Sequence, residues 1–171
     1  MNFKAIILAA GKGTRMKSKN PKVVHKVCGK EMVNHVIDIS NKSGVNDVVV
    51  ILGHGSETVK NVIPQDAIVV MQTEQLGTGH AVKMAKDTIN DDDIIVVLCG
   101  DTPLIEEETL KKLFDYHLEN EYMATVLTTK VDDPTGYGRV IRDSEGNFEK
   151  IVEQKDANEE ELDVNEINSG I

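Results

Sequence analysis

A chain of 171 residues has room for one ordinary domain with a buried core, and 40% hydrophobic against 28% charged residues is the balance of a soluble globular protein. The net charge of −10 argues against nucleic acid as a general partner, because phosphate backbones select basic surfaces. No apolar run approaches the roughly 20 residues that cross a bilayer, so no membrane partner is expected either.

In chain order, KAIILAA (4–10) reads as a buried strand: short, branched and bounded by turn residues. It is too short, and too soon followed by charge, to serve as a secretion signal. The stretch LAAGKGTRMKSKNPK (8–22) then brings glycines and cations together. Residues 1–30 hold 8 of the 19 Lys and Arg residues and none of the 29 Asp and Glu, leaving 11 basic against 29 acidic residues in the remainder. A positive segment inside an acidic protein points to a local anion site, although Lys17 and Lys19 read better as solvated loop lysines. EMVNHVIDISNKSG spaces Met32, Val33, Val36, Ile37 and Ile39 as a helix face would, with Gly44 as its stop. DVVVILG (47–53), AIVVMQ (67–72) and IIVVLCG (94–100) predict three more strands, with helices over SETVKNVI and GHAVKMAKDTI between them.

Asp91, Asp92 and Asp93 look like a carboxylate cluster, but they precede the last of these strands. At about 3.3 Å per residue they lie about 25 Å from its carboxyl end, and they are read as a solvated turn. EEETLKKLFDYHLEN is an amphipathic helix whose opening acids favour the dipole. Strands alternating with helices predict an α/β fold, a three-layer, Rossmann-like and mainly parallel sheet. Ligands of such sheets bind beyond the carboxyl ends of the strands, so the loops after Ala10, Gly53, Gln72 and Gly100 should share one rim.

After Glu121 the pattern changes. YMATVLTTKV, GYGRVIRD and NFEKIVEQ read as strands joined by DDPTG and DSEGN turns, a β-rich extension of the same unit. KDANEEELDVNE is an acidic exposed segment or a short helix, and Ile171 is expected to open a further strand, as though the sequence were the front part of something longer. Cys28 and Cys99 form neither a disulfide framework nor a metal spacing, so they are read as reduced packing residues of a cytoplasmic protein. His25, His35, His54, His80 and His117 have no paired ligand spacing and are read as structural or exposed.

Spacing limits what the glycine loop can bind. A dinucleotide fingerprint needs a third glycine where Met16 stands, and an acid at the end of the second strand, which VVVILGHG does not supply. A mononucleotide P-loop likewise needs glycine at position 16. The remaining reading is a loop whose amides wrap a triphosphate, with cations from Arg15 and Lys22. There the small Ala9, Ala10 and Gly11 would let backbone approach phosphate and base.

LAAGKGTRM followed by PK resembles the signature of the sugar-phosphate nucleotidyltransferases. The resemblance continues through MQTEQLGTGHA, CGDTPLI, DDPTGYGRV, IVEQKDA and EINSGI, and so covers essentially the whole chain. Within that family the set is most similar to the N-terminal uridyltransferase half of the bifunctional UDP-N-acetylglucosamine pyrophosphorylase / glucosamine-1-phosphate N-acetyltransferases. Nothing in these residues could form that group's left-handed β-helix acetyltransferase domain, through which its members trimerise. The trimer is therefore not carried over, and residues 1–171 are expected to be one nucleotidyltransferase domain, incomplete at its C-terminus.

The resemblance implies transfer of uridylyl from UTP to N-acetylglucosamine 1-phosphate, with Mg²⁺ as cofactor, for peptidoglycan and lipopolysaccharide precursors. Arg15 and Lys22 carry the catalytic roles by this likeness, and Asp101 is the metal ligand. Leu8, Ala9, Ala10, Gly11, Gly13, Lys22, Gln72, Gly77, Thr78, Cys99, Gly100 and Asp101 are implied at the nucleotide. Gln72 would meet a uracil edge through both donor and acceptor. Gly138, Glu153 and Asn168 are implied at the sugar. Cys99 stands where the family commonly has an aromatic residue.

The alternatives are another sugar phosphate, such as glucose 1-phosphate, or a nucleotide-binding fragment with little turnover. The latter follows if the chain ends here, because the family's second metal ligand, an asparagine, falls beyond residue 171. Apolar edges left open at that end predict self-association.

Overall fold

The computed structural model describes residues 2–11, 13 and 16–171, which form two compact units, 1–119 and 120–171. In chain order the first unit contains β1 (Asn2–Ala9), the two-residue strands β2 (Lys26–Val27) and β3 (Lys30–Glu31), α1 (Met32–Lys42), β4 (Asp47–Leu52), α2 (Ser56–Lys60), β5 (Ile68–Met71), α3 (Thr78–Met84), β6 (Asp93–Cys99) and α4 (Glu107–Glu119). β1, β4, β5 and β6 form one parallel sheet in the order β5-β4-β1-β6. The small β2–β3 hairpin, which the sequence reading does not anticipate, pairs antiparallel after a 3-10 turn at Lys22–Val24.

The central strands β1 and β4 are covered on both faces, which explains why they read as unbroken apolar runs, while the edge strands leave Ile68, Met71 and Ile95 exposed. Ala5, Ile6, Ile7 and Val49 to Leu52 are completely buried or nearly so. On one face α1 buries Met32, Val33, Val36 and Ile37, and Phe114 of α4 stacks on Phe3 of β1 with ring centroids 4.6 Å apart. On the other, Ala81 and Ala85 at α3 pack on Ile6, Val49 and Ile51. These three layers are the expected ones, and α1 stops at the expected Gly44, whose φ of 95° is accessible chiefly to glycine.

Register aligns the strand ends. Ala9 pairs with Leu52, Leu52 with Met71, and Leu8 with Cys99. The loops after β1, β4, β5 and β6 therefore leave from one rim, as expected of a parallel sheet.

The opposite rim corrects the reading of the aspartates. Asp91 and Asp92 are exposed, but Asp93 begins β6 with its side chain only 3% exposed, against Lys4 of β1 at 3.0 Å. Lys4 is itself 4% exposed and also donates to the Thr88 carbonyl. A lysine inside a covered sheet needs a counter-charge, and Asp93 supplies it. Hydrogen bonds from the Asn90 backbone, Asn2 and Lys4 hold the Asp93 carboxyl down at about 2, below the ordinary value near 3.9. Its contribution is thus complete above about pH 4 and is lost as pH falls toward 2. Asp93→Asn is expected to lower stability at pH 7, with the gap to the parent closing toward pH 2 in urea titrations at a series of pH values.

The second unit contains β7 (Thr128–Lys130), β8 (Arg139–Arg142), β9 (Phe148–Val152), α5 (Glu159–Leu162) and β10 (Glu166–Asn168). Its strands form a separate antiparallel sheet, ordered β7-β10-β8-β9, rather than an extension of the parallel one. The expected turns are present. Asp133 accepts from the Thr135 amide, and Asp143 accepts from the amides of Glu145 and Asn147. The acidic stretch becomes helix α5, held by a reciprocal Asn158–Glu161 capping box. The strand expected over YMATVLTTKV shrinks to three residues, since Met123 and Val126 are exposed and find no sheet face to cover. The last strand ends at Asn168, before Ile171, whose carbonyl accepts instead from the Leu127 amide. Arg142 grips Glu166 through two charge-assisted bonds of 2.8 and 2.7 Å and, as the leading cause, draws that carboxyl down to about 2.

Candidate active site

Four loops meet at the carboxyl rim of the parallel sheet. The first leaves β1 through the buried Ala9 and Ala10 to the exposed Gly11. Gly13 lies so close to Lys22 that a Cβ on it would stand 2.8 Å from Cβ of Lys22. Gly13 also has a φ of 58°, so a side chain there is strained as well as crowded. Gly13→Ala is expected to cost about 1–3 kcal/mol of stability and to displace Lys22, read by a shift in the denaturant midpoint.

Lys22 reaches across to the loop after β6. Its Nζ lies 2.7 Å from Oδ2 of Asp101, and both side chains are partly exposed, at 41% and 33%. The sequence separates these groups by about eighty positions; the sheet joins them because β6 lies directly beside β1. Gly100 makes that approach possible. Its amide donates to the Leu8 carbonyl at 3.0 Å, and a Cβ there would press on the same oxygen. The neighbouring Cys99 is half-buried, and burial, then the Asp101 charge, pushes its thiol pKa up, so it is a packing group rather than a nucleophile.

An open cleft of about 480 Å³ lies at the ends of β4 and β5 on the same rim, lined by Gly53, His54, Met71, Gln72, Thr73 and Gln75. Gln75 donates to the Ala10 carbonyl at 2.9 Å and so ties the loop after β5 to the loop after β1. Gln72 is 5% exposed. Its amide nitrogen donates to the Gly77 carbonyl at 3.1 Å and contacts Nδ1 of His80 at 3.0 Å, so the donor side expected to meet a base is already engaged. Gly77 (φ 99°) leads directly into Thr78 and α3. A hollow of about 200 Å³ at the other end of the strands includes Asp47 and Asp66 in its lining but none of the proposed site residues.

In the second unit the three residues implied at a sugar come together. A Cβ on Gly138 would stand 3.3 Å from Oε1 of Glu153, and the Asn168 amide donates to the Gly138 carbonyl at 2.9 Å. The buried Arg139 next to them donates to the Tyr137 carbonyl and to Gln154.

Arg15 lies outside the described residues. Lys22, Gln72 and Asp101 share one rim, while Gly138, Glu153 and Asn168 form their own cluster. His54 and Gln75 line the cleft and His80 contacts Gln72, although the histidines read from spacing as structural or exposed: His80 is eight positions from Gln72, and only the turn between β5 and α3 closes that gap. No group of three or more His, Cys, Asp or Glu side chains converges among the described residues. A partly exposed carboxylate such as Asp101 nevertheless fits Mg²⁺, which usually takes one or two carboxylates and completes its shell with substrate phosphates and water. Among the described residues no helix is long and apolar enough to cross a membrane.

Residues 4–171 match the family model described as "Nucleotidyl transferase". The chain is 74% identical over 171 residues to the bifunctional protein GlmU of Clostridioides difficile (strain 630), and 58% identical over 171 residues to that of Alkaliphilus oremlandii (strain OhILAs). Each alignment covers all of this chain and 37% of the relative, so the chain spans a little over a third of their length. Among solved structures, a UDP-glucose pyrophosphorylase from Acinetobacter baumanii superposes with a TM-score of 0.78 at 20% identity, covering 99% of this chain and 73% of that one. At that identity the likeness establishes the fold.

Proposed function

The chain belongs to the nucleotidyl transferase family, and from that premise we propose that it transfers uridylyl from UTP to N-acetylglucosamine 1-phosphate, releasing pyrophosphate. The observation carrying this reading is the 2.7 Å Lys22–Asp101 pair on the same carboxyl rim as a cleft lined by Gln72. Identity of 74% to a bifunctional protein GlmU, the group its motifs resemble, supports the choice of nucleotide and sugar. Residues 1–171 are read as the nucleotidyltransferase portion, working in the cytoplasm where both substrates are soluble.

Nucleophile and electrophile are both anionic, so repulsion and alignment dominate the barrier. The amides of residues 9–11 approach the phosphates because Ala9, Ala10 and Gly11 present no bulk. Lys22, a point charge on a flexible stem, leaves Asp101 for the α-phosphate and screens the oxygen attacking it. Arg15 contributes a forked contact to the departing pyrophosphate. Asp101, once released, is the carboxylate that would hold Mg²⁺, which when bound neutralises phosphate charge as a Lewis acid. Leu8, Gly77, Thr78, Cys99 and Gly100 shape the nucleotide side. Gly138 leaves room for a sugar, and Glu153 and Asn168 offer its hydroxyls hydrogen bonds.

The test is direct. Pyrophosphate release from UTP, Mg²⁺ and N-acetylglucosamine 1-phosphate should exceed release with glucose 1-phosphate in its place. Equal or greater release with the glucose ester would defeat the assignment of the acceptor, and UTP binding without any release would make this a nucleotide-binding module.

A further inference from the structure

Gln72 has four hydrogen-bonding positions on its side-chain amide, and their occupancy is uneven. The Gly77 carbonyl can only accept, so the atom facing it at 3.1 Å must be the amide nitrogen. The second amide hydrogen points to Nδ1 of His80 at 3.0 Å, which requires that Nδ1 carry a lone pair and the ring proton sit on Nε2. Both donors are then consumed. The amide oxygen has no partner among the described residues, and Gln72 lines the cleft. Gln72 is only 5% exposed, so a lost partner on its donor side is poorly replaced by water, while the oxygen is the polar atom left for a ligand in the cleft.

We propose that His80 is a positioning residue that makes Gln72 a fixed hydrogen-bond acceptor in the nucleotide cleft, and thereby favours a base with a ring N–H over one with a ring lone pair at the same place. This rests on the reading of the cleft as the base site of a uridylyl transferase. Uracil presents N3–H to such an oxygen. Cytosine in the same pose presents the N3 lone pair, and two lone pairs repel. Were the amide free to turn over, Gln72 would serve both bases, and selectivity would have to come from elsewhere. Two acceptors, Gly77 and His80, oppose that turn.

The experiment compares binding of UTP and CTP, each with Mg²⁺, to the full chain and to two variants by titration calorimetry. The parent should favour UTP. His80→Phe keeps a ring but removes the acceptor, and should reduce the UTP-over-CTP ratio by roughly 10-fold, the size of one hydrogen bond's net effect. His80→Asn, whose Oδ1 is attached to Cγ as Nδ1 is in histidine, should restore it. A parent that binds neither nucleotide would end the functional reading itself. A selective parent with an equally selective His80→Phe would overturn the role of His80 alone. Should His80→Phe not fold, nitrogen-15 spectra of the parent at pH 8 decide the matter without a mutation: an unprotonated Nδ1 with Nε2–H is expected for His80, and an Nδ1–H tautomer refutes the lock.

Discussion

Alanine at position 22 is expected to lower turnover by roughly 100- to 1000-fold, the usual loss when one preorganised charge is taken from a transition state. The reason is geometric as well as electrostatic. Lys22 follows the glycine turn directly in space, with its Cβ packed where a side chain on Gly13 would be, and its Nζ already stands 2.7 Å from the Asp101 carboxylate. Removing it leaves that carboxylate facing the phosphates without a neighbour, adding repulsion at the point where negative charge accumulates. Binding of UTP should weaken less than turnover, because charge on the departing phosphates grows only as the bond breaks. Arg15→Ala should produce a loss of the same order. Pyrophosphate release, measured alongside UTP binding, separates the two effects; unchanged release from Lys22→Ala would remove this residue from the mechanism.

Leu98→Ala is expected to have the largest effect on stability, about 2–5 kcal/mol. Leu98 is completely buried in β6, paired with Ile7 of β1, one residue from the strand end that delivers Cys99, Gly100 and Asp101. The side chain lost there leaves a cavity on the buried face of β6, which it shares with Val96, where close-packed neighbours have little freedom to collapse inward. The unfolding free energy from denaturant titration should fall by that amount. Because β6 sets the position of Asp101, UTP binding at temperatures well below unfolding should also weaken. An unfolding free energy within about 0.5 kcal/mol of the parent's, the range of a neutral surface change, would contradict the burial of Leu98.

Much of the first unit was legible without coordinates. A strand covered on both faces must be apolar throughout, and one helix face must be apolar at 3.6-residue spacing, so KAIILAA, DVVVILG and EMVNHVIDISNKSG carry their own instructions. The order of strands and helices in turn implies the parallel sheet, and hence a shared rim for four loops. The turns DDPTG and DSEGN are likewise local: Asp133 and Asp143 cap amides within a few residues of themselves.

Other features depended on partners distant in sequence. Asp93 reads as one of three aspartates in a polar turn, and becomes the buried counter-charge of Lys4 only because β6 lies against β1. The strand predicted after Glu121 was cut to three residues by the lack of a face to cover. Gln72 reads as a two-sided base partner until His80 and Gly77 take its donors.

Local spacing and hydrophobic period therefore determined which segments became strands and helices, which loops leave from one rim of the sheet, and which of them gathers glycines and cations, because each rests on interactions among near neighbours in sequence. Only the tertiary structure decided that Lys22 meets Asp101, that Asp93 is buried, and which way the Gln72 amide is turned. Those outcomes depend on polar groups far apart in the chain finding partners once water is excluded, and no window of sequence contains both members of such a pair.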